Sequence, residues 1–309
     1  MNILLLKAPY GGIYSDFERS LTKGLRRHCT VVDEPYNRFK NNRLVSFCRQ
    51  HQIDWIITFN GYFFSKDEKE LFCAGHLPPL AVWLTEDPYY VSPSMDILSI
   101  ATKAWSVDTA AVDLYRQQHQ YDHVDFLPLG FEEDWFYPAE SSPLYDLVFA
   151  GYPYENRVKW LHAIAKNIDL TLAIVGPWRP DQCPPNAYHK ATWLAPKEIG
   201  AFYRQAKMVL NSYRTAHDGI MATSINNRTF DIAASQACQL SEYREGIETF
   251  FPNQEIVTFT DTSQLLHAVQ TLLNDSDLRK DHAYRSRQRI HGHRFSDRAY
   301  TIYKELESR

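Results

Sequence analysis

Short runs of β-branched and aromatic residues, each stopping at Pro, Gly, Asn or Asp, alternate with stretches of helical period along almost the whole chain. Parallel strands need a long crossover between them, usually a helix, so this alternation predicts parallel sheets covered by helices. In the first half the predicted strands are 2–6, 30–32, 55–59, 80–84, 103–106 and 125–127. Between the first two, Phe17, Leu21 and Leu25 recur every four residues and fall on one face of a helix. Ser15 and Glu18 have the spacing of a capping box and are expected to start that helix.

The series restarts after the polar, proline-flanked segment 138–143, the expected linker. Predicted strands follow at 146–150, 171–175, 208–211, 239–241 and 255–259, with helices over 156–166, 196–205, 225–236 and 263–273. A chain of 309 residues exceeds what one hydrophobic core holds. The expectation is an α/β protein with two Rossmann-like domains, 1–140 and 145–290, facing a central cleft. A terminal helical segment, 291–309, can cross back onto the first domain in such a build.

The formal charge of −4, without a dense Lys/Arg stripe, argues against nucleic acid as a partner. No apolar stretch nears the roughly 20 residues that span a bilayer, so no membrane span is expected. The start, 1–7, reads as a strand and not as a signal peptide. Five cysteines lie scattered with no CxxC pair, which fits reduced thiols in a cytoplasm, no disulfide and no zinc.

Parallel sheets bind ligands beyond the carboxyl ends of their strands, so the loops there carry the candidate residues. After the first strand, Gly11 and Gly12 let backbone N–H groups approach an anion at a helix N-terminus, as a phosphate or acceptor loop. The other reading is a packing turn. After strand 80–84 stand Glu86 and Asp87, either of which can take or orient an acceptor proton; the alternative is a turn before Pro88. In 149–157, Gly151 permits close backbone approach and Arg157 can pair with a diphosphate, unless it is a solvated helix residue. In 224–235, Asn227 sits at a helix start, and Arg228 and Asp231 share a face, Arg228 for phosphates and Asp231 for ribose hydroxyls. A structural Arg/Asp pair is the competing view. Tyr89, Tyr152, Tyr154 and Trp178 are placed to stack on sugar rings, although packing accounts for most aromatics equally well.

Several of these stretches carry a family resemblance. Residues 148–151 with Arg157, 203–211, 227–235, 243–246, 255–259 and the closing 287–298 resemble the C-terminal domain of CgeB-like, spore-maturation-type glycosyltransferases within the GT-B group. Segments 83–88, 108–112, 127–131 and 136–138 are similar to the same family's N-terminal half. The resemblance implies a nucleotide-sugar donor, a UDP-sugar above all, on 145–290. It implies a glycan, protein or small-molecule acceptor toward 1–140, and no metal or other cofactor. Many retaining relatives carry two glutamates eight residues apart. Asp231 takes the place of the second, but Thr223 stands where the first would be, leaving the stereochemistry open. The resemblance also makes His217 and Asp218 candidates for the sugar pocket.

The Asp-x-Asp triplet Asp275-Ser276-Asp277 reads as a helix cap and not as the metal clamp of other glycosyltransferases. Two further readings stand beside sugar transfer: a nucleotide-sugar epimerase of the same architecture, and a non-catalytic module that binds a glycan or nucleotide sugar.

Overall fold

The computed structural model describes residues 1–39, 43–215 and 220–308. In chain order the elements of the first half are β1 (Asn2–Lys7), α1 (Tyr14–Leu25), β2 (Thr30–Pro35), α2 (Arg43–Gln50), β3 (Trp55–Phe59), α3 (Lys66–Cys73), β4 (Leu80–Leu84), α4 (Val91–Leu98), β5 (Lys103–Ser106), α5 (Thr109–His119) and β6 (Val124–Phe126). The second half adds β7 (Tyr145–Ala150), α6 (Glu155–Asn167), β8 (Leu172–Val175), β9 (Tyr188–Ala191), α7 (Pro196–Arg204), β10 (Ala206–Asn211), α8 (Asn227–Ala234), β11 (Gln239–Glu242), α9 (Gly246–Phe250), β12 (Val257–Phe259), α10 (Thr262–Asn274), α11 (Ser276–Arg289) and α12 (Phe295–Glu307).

These elements make two six-stranded parallel sheets, each in its own unit. The first unit comprises Met1–Leu129, residues 220–224 and residues 295–308; the second comprises Gly130–Thr215 and Ile225–Arg294. In the first sheet the order is β2-β1-β3-β4-β5-β6, so the chain reverses direction between β1 and β3. In the second the order is β12-β11-β10-β7-β8-β9, with the reversal between β7 and β10. At such a reversal neighbouring loops leave toward opposite faces and open a crevice at the carboxyl ends of the strands.

The strands are apolar almost throughout because both faces of each sheet are covered. β3 and β4 are buried end to end. Alternation sorts their residues: Leu4, Leu6, Ile56, Val82 and Leu84 pack with Leu44, Ile97 and Tyr115, while Ile3, Leu5, Ile57, Trp83 and Trp105 pack on the other face. That second face is covered by Phe17, Leu21 and Leu25 of α1 together with Ala299, Ile302 and Leu306 of α12. The last helix is pinned there by polar contacts as well. Arg298 Nε donates to the Pro128 carbonyl at 2.8 Å, and Glu305 accepts from Trp105 Nε1 at 2.9 Å and from Lys103 Nζ at 2.8 Å.

Three local expectations change. Helix α1 begins at Tyr14, so Ser15 lies inside its first turn, and its N-cap, Ile13, makes no side-chain bond. Glu18 points inward instead and accepts from the Ala8 amide at 2.7 Å, closing the loop after β1. The capping box of this half is Ser65 with Glu68, at the start of α3. Strand β9 escaped the sequence reading because it is a polar edge strand whose residues are only partly covered. The strand expected over 255–259 spans only Val257–Phe259, and buried Glu255 instead accepts from the Asn253 amide at 2.9 Å. Asp275 does cap α11, accepting from the Asp277 and Leu278 amides at 3.1 and 2.8 Å.

Helices α1 and α12 touch through a glycine. A Cβ on Gly24 would sit 2.5 Å from the Ala299 Cβ and 3.3 Å from the Ser296 Cα, neither of which can rotate away. Gly24→Ala is therefore expected to destabilise the protein by roughly 1–3 kcal/mol through overpacking, even though Ala favours a helix by about 1 kcal/mol. Urea denaturation checks this, and a gain in midpoint would show that α12 is not seated on α1.

Candidate active site

In the second unit the site is assembled at the reversal between β7 and β10. Asn211, the last residue of β10, is fully buried. Its Nδ2 donates to Thr229 Oγ1 at 3.1 Å, Ser241 Oγ at 3.3 Å and Asn226 Oδ1 at 3.3 Å. Its Oδ1 accepts from Asn226 Nδ2 at 3.1 Å and from Arg228 Nη1 at 3.2 Å. Asn226 is the N-cap of α8, accepting from the Thr229 amide at 3.2 Å. One carboxamide thus fixes the start of α8 and the Arg228 guanidinium at the end of the central strand, where the helix dipole presents its positive end.

The glycine after β7 makes this possible. Gly151 has φ of 156°, a conformation that favours glycine, and a Cβ there would lie 2.8 Å from Arg228 Nη2 and 3.2 Å from Arg157 Nη1 and push both guanidinium groups off the strand end. The two arginines have different surroundings. Arg157 is 5% exposed; its Nη2 donates to the Ser212 carbonyl at 2.9 Å, its Nη1 to the Tyr152 carbonyl at 3.1 Å, and it lies 4.6 Å from the Tyr154 ring centroid. These contacts brace the loop after β7 against the loop after β10. Arg228 is half-buried and lies 5.6 Å from the Phe149 ring centroid. Of the two, it is the one set at the mouth of the helix.

Asp231, one turn further along α8, accepts from Asn227 Nδ2 at 3.0 Å. Burial holds its carboxyl well above the usual range, with the nearby Arg228 charge acting in the opposite sense. Two groups of this site escaped the sequence reading. Glu242, closing β11, accepts from Ser212 Oγ at 2.6 Å, the Tyr213 amide at 3.1 Å and Asn156 Nδ2 at 3.3 Å. Asn211 is the other. Each is a polar residue in the last position of a parallel strand, at the carboxyl end where ligands bind, and that was the available signal. His217 and Asp218 lie outside the described residues.

In the first unit the corresponding reversal, between β1 and β3, carries a second constellation. Asn60, directly after β3, has φ of 58° and is 1% exposed. Its Oδ1 accepts from the Thr85 amide at 2.7 Å and its Nδ2 donates to the Tyr14 hydroxyl at 3.0 Å. Tyr14 in turn donates to Glu86 Oε1. Burial and the Glu86 charge push the Tyr14 phenol up, so it stays a proton donor across the working pH range. Gly12, with φ of 70°, shapes the exposed loop before α1.

The neighbouring carboxylates expected to share one task are separated here. Glu86 is half-buried at the sheet end. Asp87 is 3% exposed and accepts from Ser94 Oγ at 2.7 Å, Ser106 Oγ at 2.7 Å and the Tyr115 hydroxyl at 2.9 Å. Its partners make Asp87 a tie between the end of β4, α4, β5 and α5. Asp108, N-cap of α5, accepts from the Thr223 and Ser224 amides, each at 2.9 Å, and so holds Thr223 in place.

Burial pushes the Asp87 carboxyl up to about 6, against the three hydroxyls that favour its charged form. The folded state therefore keeps this proton where the unfolded chain has released it, and this contribution to stability falls as pH rises from about 4 to about 6. Asp87→Asn is expected to remove that part of the slope, roughly 3 kcal/mol across the window. Denaturant titrations of both proteins at pH 4, 5, 6 and 7 test it; parallel curves would contradict the assignment.

A sequence profile described as Glycosyl transferase-like matches residues 157–304, a span that includes Arg157, Asn211, Arg228 and Asp231. Spore protein CgeB of Bacillus subtilis (strain 168) is 29% identical over 260 residues, covering 78% of this chain and 80% of that protein. Among solved structures, sucrose-phosphate synthase from Thermosynechococcus elongatus superimposes with a TM-score of 0.70 at 12% identity, covering 100% and 99% of the two chains. Anabaena HepE in complex with UDP-glucose gives 0.69 at 12% identity, covering 100% of both. T4 phage BGT in complex with its UDP-glucose substrate gives 0.64 at 13% identity, covering 99% and 100%. The chain therefore has the GT-B fold, and it is similar in sequence to a glycosyl transferase-like family over residues 157–304 and to spore protein CgeB.

Proposed function

We propose that this enzyme moves a sugar from a UDP-sugar to an acceptor hydroxyl without a resident metal ion. The observation that carries the reading is the Arg228 guanidinium, set between Gly151 and the start of α8 by the buried Asn211. A diphosphate needs fixed positive charge and N–H donors, and a helix N-terminus beside an arginine offers both. The complexes of HepE and BGT with UDP-glucose support uridine as the base. Asp231 then stands one turn along, with its carboxyl held by Asn227 at the start of the helix, for the ribose hydroxyls. A cytoplasmic setting fits the five free cysteines.

In the reaction the bond between the anomeric carbon and the diphosphate oxygen breaks while the acceptor oxygen bonds to that carbon. Negative charge develops on the departing diphosphate, where Arg228 and the α8 dipole stabilise it. The acceptor proton passes to Glu86, whose other oxygen Tyr14 holds in place. Gly11 and Gly12 border this acceptor side, and Asp87 sets the backbone from which Glu86 projects.

The test is a thermal-shift screen of UDP, GDP, dTDP, CMP and ADP, with and without EDTA. UDP is expected to raise Tm equally under both conditions, and Arg228→Ala to bind it roughly 10- to 100-fold more weakly, the value of a charge-assisted hydrogen bond. Stabilisation that EDTA abolishes and Mn²⁺ or Mg²⁺ restores would overturn the metal-free mechanism, and no shift with UDP would overturn the donor class. In a UDP-release assay with UDP-glucose, Glu86→Gln is expected to lower kcat by about 10²- to 10⁴-fold with little change in nucleotide affinity. An unchanged kcat would remove Glu86 from the chemistry.

A further inference from the structure

The rings gathered around Glu86 point to the acceptor's chemistry. Three loops at the carboxyl end of the first sheet each supply aromatic side chains there: Tyr10 and Tyr14 from the loop and helix after β1, Tyr62 and Phe63 after β3, and Tyr90 after β4. Tyr10 lies 5.1 Å from Tyr14 and 6.0 Å from Phe63 between ring centroids, and Tyr62 lies 6.4 Å from Tyr90. Tyr62 and Phe63 pack on one side against the core of the first sheet, yet they and Tyr10 are only half-buried and Tyr90 is 42% exposed, so each ring keeps part of its surface open to solvent. Burial raises the phenols of Tyr10, Tyr14 and Tyr62, and the Glu86 charge adds to each in a lesser degree, after the Asp87 charge in the case of Tyr62. Beside them the chain leaves room: a Cβ on Gly11 or Gly12 would meet no heavy atom within 4 Å.

We infer that this aromatic-walled end of the first sheet is a saccharide subsite, and that the acceptor hydroxyl belongs to a neutral sugar ring. A pyranose has apolar C–H faces that lie against aromatic rings and a rim of hydroxyls that need acceptors and donors. The wall offers rings for the first, and the Glu86 carboxylate with the Asn60–Tyr14 pair for the second. Glu86 carries a carboxylate, so an acidic group of an acceptor placed directly against it meets like charge. The inference rests on the reading of Glu86 as the acceptor carboxylate. It goes further in committing to what binds there.

The test is direct binding to the full chain by saturation-transfer difference NMR, with no turnover required. Maltotriose, cellotriose and chitotriose serve as neutral saccharide probes, glucose 6-phosphate as the anionic one, and a short Ser/Thr peptide as the protein-type one. At least one neutral saccharide is expected to saturate through its ring protons. Tyr10→Ala should weaken it by about tenfold, and Tyr10→Phe should retain it because the ring makes the contact. The UDP-induced Tm shift should be the same in all three proteins, which shows that the variants are folded. No saturation of any neutral saccharide would overturn the inference. So would saturation of the peptide or of glucose 6-phosphate that exceeds every neutral saccharide, or saccharide binding indifferent to Tyr10→Ala. Saccharide binding that depends on Tyr10, combined with unchanged turnover in Glu86→Gln, would support the subsite and retire only the role of Glu86 as base.

Discussion

The candidate donor site depends on a single buried carboxamide. Asn211 closes β10 with no solvent access and uses both ends of its amide group: the nitrogen toward α8 and β11, the oxygen toward Arg228 and the α8 cap. A carboxamide has two donors and an acceptor oxygen in one rigid plane, so it can satisfy a helix start and an arginine together without introducing charge. A carboxylate there would be a buried anion beside Arg228 and would neutralise the positive charge that a phosphate site needs. An apolar residue would leave the Asn226 amide without its acceptor, at a cost of about 1–3 kcal/mol for a buried unsatisfied group.

The first unit repeats the device with different residues. Asn60 follows β3 at the other reversal, in the left-handed conformation that Asn tolerates better than most side chains. It binds the end of β4 through the Thr85 amide and orients Tyr14, which in turn fixes Glu86. In both sheets, then, an enclosed asparagine at the carboxyl end of a central strand orders one charged side chain at the edge of the crevice. Charge is the costly element to bury, and in both places it is carried by a half-buried group held from behind by neutral ones.

Much of this was legible in the sequence because periodicity is a backbone signal. Buried parallel strands must be apolar runs, and helices facing a sheet must repeat every three to four residues, so the strand series and the α1 face of Phe17, Leu21 and Leu25 were readable. Glycine positions were readable too, since Gly151 marks a strand end whose φ of 156° a side chain rarely adopts. What was not legible depends on contacts between residues far apart in sequence. Ser15–Glu18 and Ser65–Glu68 have the same spacing, yet only the second pair caps a helix, because the Ala8 amide draws Glu18 inward. Glu86 and Asp87 are adjacent, yet strand geometry turns one toward the sheet end and encloses the other among three hydroxyls contributed from 7 to 28 residues away. Arg157 and Arg228 look alike as arginines at helix starts. Both reach the Ser212 carbonyl; they differ in that Arg157 is buried and takes the Tyr152 carbonyl whereas Arg228 is half-buried and takes the Asn211 carboxamide, which no local pattern announces.

One departure from the retaining pattern has a consequence for how the charge is arranged. Thr223 stands eight residues before Asp231, and the backbone amides of Thr223 and Ser224 are held by Asp108, whose other oxygen caps α5. The position is thus an ordered hydroxyl, also within hydrogen-bond distance of Thr109 Oγ1 at 2.7 Å, and carries no charge of its own. Replacing it by a glutamate would put a second carboxylate beside Asp108, and like charges at that spacing repel by enough to shift one of them toward its neutral form. The local structure therefore selects against an acid at this place. The negative charge that the proposed chemistry needs is left to Glu86, and the positive charge to Arg228, which is the distribution that the two asparagines hold in place.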